Sequence, residues 1–168
     1  MIRPFRDEAE RYGRYSLAAE SMYDPLPMGS KRTGPDLARV GGRCSNDRHV
    51  AHMVDPPAVV PESIMPGCRF LPEREVKTSD IADHLRALAV ARVPCTVEMI
   101  ESAAADLQDR ATTDADHDGL LSRYPKTVVG DLDSQPGRVS EMDALVAHLQ
   151  SLGRMVDFTD IRTEDILQ

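Results

Sequence analysis

The chain has 168 residues, enough for one domain with a sizeable core, and 41% of them are hydrophobic. With three Phe, four Tyr and no Trp, that core has to rest on Leu, Val, Ile, Ala and Met. A formal net charge of −8 argues against a general nucleic-acid binder and fits an acidic surface, one suited to a basic partner.

Pro4 at a first helical position, with Phe5, Ala9, Tyr12, Tyr15 and Ala19 near helical spacing, predicts an amphipathic helix running to about Ser21, weakened at Gly13. From Asp24 to Pro72 the chain is rich in Pro and Gly and reads as ordered loop or linker, with one short helix from Asn46 to Val54. Ser79 is placed to cap a helix through about Arg92, with Ile81, Leu85 and Leu88 on one face. Thr96 is placed to cap another, carrying Met99, Ile100, Ala103 and Leu107, and Pro94 separates the two. Ala111 to Gly137 is acidic and turn-rich. Ser140 with Asp143 three residues later forms a capping box, and Met142, Leu145, Val146, Leu149 and Leu152 make an apolar stripe stopped by Gly153. No strand pattern competes with these segments and no repeat is visible, so the expected class is all-α with long Pro/Gly-rich loops.

Cys44, Cys68 and Cys95 are odd in number and widely spaced, with no Cys-x-x-Cys pair, and read as free thiols. The sequence holds no run of about 18 apolar residues, and its first residues lack the pattern of a signal peptide, so as written the chain is expected to stay in the cytoplasm.

Asp114-Ala-Asp-His-Asp-Gly119 matches the opening of an EF-hand calcium loop, with Asp114, Asp116 and Asp118 as candidate ligands and Leu121 at the apolar eighth position. The twelfth position, where a bidentate Glu closes the coordination sphere, holds Pro125, which favours an acidic solvated turn instead. His49 and His52 lie three apart and share a helix face, but no third ligand stands at metal spacing. Cys44 with His49 suggests a nucleophile and base, without an identifiable orienting group. Pro61-Glu-Ser-Ile-Met65-Pro66-Gly67 places one thioether in a loop with few conformational choices. A methionine sulfur at a haem iron raises its reduction potential; a Met beside Pro is more often a packing residue.

Thr33-Gly-Pro-Asp-Leu37, Ser63-Ile-Met-Pro66 and the capped helix from Ser140 to Leu152 follow the order of a class I cytochrome c. More specific are Met1-Ile-Arg-Pro-Phe-Arg-Asp-Glu8, Arg11-Tyr-Gly13, Gly29-Ser-Lys-Arg-Thr-Gly-Pro-Asp-Leu37, Val60-Pro-Glu-Ser63, Arg123-Tyr-Pro-Lys126 and Glu141-Met-Asp-Ala-Leu-Val146. From residue 1 to about residue 158 the chain resembles the mono-haem cytochrome c subunit, subunit II, of cbb3-type cytochrome c oxidases, followed by a tail over 159–168. The resemblance implies a class I cytochrome c-like domain on the periplasmic side of the inner membrane. Its role there would be to pass electrons toward the haem-copper subunit that reduces oxygen, without itself being the catalyst. It also implies haem c as cofactor, with Met65 as axial ligand to the iron and the Thr33-Gly34-Pro35 loop offering the Pro35 carbonyl to the proximal histidine. The implied partners are the other oxidase subunits; no nucleic acid is implied, and membrane contact comes only through an anchor or the complex.

The family's Cys-x-x-Cys-His motif and membrane helix lie upstream of the point that matches Met1, and this sequence contains neither. The expectation is therefore a mistaken start or a truncated gene copy, in which haem cannot be attached covalently as the chain is written. Cys44, Cys68 and Cys95 stand where the family usually has Tyr, Arg48 where it has Trp, and His148 where Tyr is common. Each is one base transition away, as expected of a drifting duplicate. A haem-free remnant that still docks on oxidase subunits is the alternative function.

Overall fold

A hydroxyl at residue 45 starts the first described helix. Ser45 Oγ accepts the Arg48 backbone N–H at 3.3 Å, Asp47 lies in the first turn and His52 in the last, each placed favourably for the helix dipole. This computed structural model describes Leu37 and residues 40–91 and 93–154. Helix α1, Asn46–Val54, matches the expected span and stops at Asp55 because Pro56 follows. Pro56 opens the single-turn helix α2, Pro56–Val59, and is itself buried.

A 3-10 turn, Thr78–Asp80, leads into α3, Ile81–Val90. Ser79 does not cap it: its hydroxyl donates to Asp80 Oδ1 at 2.7 Å, and the cap position is Asp80, without a side-chain cap bond. Ile81 and Leu85 are half-buried, while Leu88 is exposed. Thr96 caps α4, Val97–Ala111, as expected: Thr96 Oγ1 accepts the Met99 N–H at 3.2 Å, and Met99 Sδ reaches back to the Thr96 N–H at 3.5 Å. Helices α3 and α4 pack as a hairpin around Pro94.

The acidic stretch expected to be turns contains a further helix, α5, Asp118–Arg123. It is only six residues long, too short for a periodic pattern to declare itself, and it is held by packing on α4. Leu120 is buried, and Arg123 bonds Asp106 and Glu98 of α4. The last described helix, α6, Glu141–Ser151, carries the expected stripe: Met142 and Val146 are fully buried, Leu149 and Leu152 nearly so, and Gly153 takes a φ of 77° just beyond.

Among the described residues there are six α-helices and no strand, so the fold class is all-α. One isolated antiparallel bridge joins Glu75 to Ser140, flanked by Val76 N–H to Val139 O and Glu141 N–H to Arg74 O, both at 2.9 Å. The chain divides into two units. In the unit of residues 45–148, Leu132, Met142 and Val146 form the core, with Val50, Met53, Val54, Leu71, Val128 and Ala147 packed against it. Each fully buried Met or Val contributes about 1.5–3 kcal/mol relative to exposure. In the unit of residues 1–44 and 149–168, Gly41 N–H donates to Leu152 O at 2.9 Å. Gln150 there accepts from Gly42 N–H and donates to Cys44 O. The expected helix from Pro4 to Ser21 and the tail over 159–168 lie outside the described residues.

Candidate functional site: the Met65 loop

Residues 60–67 form a loop attached at both ends to the α1–α2 corner. On the outgoing side, Val60 N–H donates to Pro56 O at 2.9 Å and Ser63 N–H to Val60 O at 2.9 Å. Ser63 Oγ then accepts the Met65 N–H at 3.2 Å, which turns the chain at the thioether. On the returning side, Cys68 N–H donates to Met53 O at 2.6 Å and Arg69 Nε to Val54 O at 3.4 Å. These two carbonyls belong to the last turn of α1, which has no amides of its own left to satisfy them. Met65 is half-buried, and along the same stretch of chain Val60, Ile64 and Phe70 are exposed, Ile64 at 85%. Arg74 lies over the Phe70 ring at 4.7 Å.

The other candidates separate. Thr33, Gly34 and Pro35 lie outside the described residues. His49 is buried and His52 half-buried on α1; burial first, then the adjacent His52 and Arg48, lowers His49 below the ordinary histidine value. The histidines join no described group of three ligating side chains. The calcium-like loop is occupied by the start of α5: Asp118 N–H donates to Asp116 Oδ1 at 3.0 Å, and the three aspartates remain exposed. Cys44, Cys68 and Cys95 are free thiols, as expected.

Sequence reading missed a buried polar network. Asp131, Asp133 and Asp143 bring carboxylate oxygens within 4.8 Å of one another, but the charge between them is supplied by Arg110 of α4, which pairs with Asp143. Burial lowers Arg110 from its ordinary value, opposed by Asp133 and Asp131, and the guanidinium stays charged. Asp143 also accepts the Leu132 N–H at 3.0 Å, and Ser140 donates to Asp133 while accepting the Asp143 N–H at 2.9 Å. The predicted capping box is thus half made: Ser140 caps, but the Asp143 carboxylate turns to Leu132 and Arg110. Nothing in the spacing of Arg110 and Asp143 along the chain signals their meeting.

The family model described as cytochrome c oxidase, mono-heme subunit/FixO matches residues 1–156. The chain belongs to the FixO family. No curated protein matches it. Membership makes it a mono-haem subunit of a cytochrome c oxidase, with a role in electron transport within a membrane-anchored complex. No helix of the described residues is long and apolar enough to cross a membrane.

One loop of this FixO chain has donor chemistry that suits a haem. The Met65 thioether is a soft donor suited to haem iron, and the exposed Val60 and Ile64 of the same loop are apolar side chains of the kind that suit a porphyrin. The two thioether bonds of haem c need paired cysteines, and the three present stand 24 and 27 positions apart, since Cys44, Cys68 and Cys95 are the whole set. These cysteines therefore do not account for the attachment.

Proposed function

We propose that this chain is the electron-transferring cytochrome c domain of a cbb3-type oxidase, with Met65 as an axial ligand of haem c. The domain comprises residues 1–158, with 159–168 as a tail. The family match over residues 1–156, a span that includes the Met65 loop, supports this reading.

Haem, when bound, supplies the one-electron redox centre. The chain's part is to hold and tune it. Met65 would present a neutral, soft sulfur, a donor that favours ferrous iron and raises the potential. The loop, anchored to α2 by the bond from Val60 and to α1 by those from Cys68 and Arg69, would limit the movement of that sulfur. By the family resemblance, the Thr33-Gly34-Pro35 segment would serve the opposite side of the haem, with the Pro35 carbonyl offered to the proximal histidine. The partners are the other oxidase subunits, including the haem-copper subunit that receives the electron.

A second reading, a haem-free module that only docks on oxidase subunits, is favoured by one observation. Leu88, Val90, Val93 and Val97 leave an exposed apolar tip on the α3–α4 hairpin, with Val90 at 86% and Val97 at 70%.

One experiment separates the two. The full chain is mixed with a haem c peptide that carries a Cys-x-x-Cys-His segment and an open axial position. The electron-transfer reading expects the thioether-to-iron charge-transfer band in the ferric form, and its loss in Met65→Leu. Identical spectra for both chains would leave only the docking reading.

A further inference from the structure

The returning arm of the Met65 loop passes the end of α1 at a distance that admits only glycine. A Cβ on Gly67 would stand 2.7 Å from Val54 O, 3.6 Å from Val54 C and 3.7 Å from Pro56 Cδ. The nearest obstacle is a backbone carbonyl at a helix end, already accepting Arg69 Nε, so it has no flexible side chain that can swing aside. One residue on, Cys68 N–H closes on Met53 O at 2.6 Å. One residue back, Pro66 has a ring-locked φ and restricts Met65 before it to extended backbone. Between the clamp at residues 67–68 and Met65 there is therefore little rotational freedom to absorb a displacement.

We infer that Gly67 is the positioning residue for the Met65 thioether. Its missing side chain lets the loop lie against the last carbonyls of α1, and that contact sets where the sulfur sits. This rests on the proposed role of Met65 as iron ligand. Gly67 does not touch the iron and acts only through the loop.

The test uses the full chain with methyl-labelled methionines, as wild type, Gly67→Ala and, to assign the signal, Met65→Leu. Gly67→Ala is expected to move the Met65 methyl resonance and to speed exchange of the Cys68 amide roughly tenfold, as expected when one backbone hydrogen bond is weakened. Met142, fully buried in the core, reports on the rest of the unit and should keep its resonance. A folded Gly67→Ala chain with an unchanged Met65 methyl and Cys68 amide overturns the inference. So does a variant in which Met142 moves with Met65 or cooperative folding is lost, because Gly67 is then a general packing position.

The haem c peptide separates this inference from the reading beneath it. If the wild type forms no thioether band while Gly67→Ala still moves the Met65 methyl, ligation fails and the clamp is upheld. If the band forms and is the same in Gly67→Ala, ligation is upheld and the clamp fails.

Discussion

Arg110 on α4 and Asp143 on α6 form an ion pair whose side chains are 9% and 2% exposed. Removing one member of a buried pair leaves the other charge without compensation, which costs about 3–5 kcal/mol. Asp143→Ala should therefore lower the urea midpoint strongly at an unchanged slope. The double variant R110M/D143L should cost much less than the sum of the single changes, because no charge is then stranded. Additive losses would show that the pair is not coupled as the structure has it.

Ser140 is fully buried and serves two carboxylate-bearing neighbours, accepting the Asp143 N–H and donating to Asp133. Thr96 caps α4 from an exposed position. Thr96→Ala should cost about 0.5–1 kcal/mol and Ser140→Ala about 2 kcal/mol or more, since the second also leaves Asp133 short of a donor. Urea unfolding of the two variants side by side checks the ranking, which an equal or inverted pair of losses would contradict.

His49 Nε2 is buried without a hydrogen-bond partner among the described residues, and burial lowers the group below its ordinary 6.5. The unfolded chain takes up this proton near 6.5 and the folded chain only at lower pH, so between those values the unfolded state binds more protons. Stability from this site is therefore present above about 6.5 and is lost as pH falls toward the folded value. Urea midpoints measured across this range should fall more steeply for wild type than for His49→Leu. Parallel curves would mean that His49 takes up its proton equally in both states.

Gly41 lies against the end of α6, where an added Cβ would overlap Gln150 O and come 2.6 Å from Leu152 O. Both obstacles are backbone, so Gly41→Ala should cost about 1–3 kcal/mol by overpacking. Exchange of the Gly42 amide, which donates to Gln150 Oε1 at 2.8 Å, should accelerate in the variant. An unchanged exchange rate would mean the segment moves aside without loss.

Local signals made much of the helical layout readable. A Thr or Ser before an apolar run locates α4 and α6, and Pro56 and Pro94 stand where helices cannot continue. Ser79 misled because a neighbouring carboxylate, Asp80, captures its hydroxyl, and a chain pattern does not reveal that competition. Helix α5 escaped notice because six residues carry too little periodicity, and its stability comes from Leu120 and Arg123 meeting α4.

The Met65 loop illustrates the same boundary at the site. Its thioether between prolines was visible in the order of residues, because proline restricts the backbone whatever lies around it. That Gly67 must be glycine emerged only when the loop was seen against Val54 O, and that Asp143 answers Arg110 rather than its own helix end emerged only when α4 met α6. Capping, proline stops and apolar period act over a few residues and are written in sequence. Close backbone approach and buried charge pairing join residues 13 and 33 positions apart, from Val54 to Gly67 and from Arg110 to Asp143, and exist only once the chain has packed.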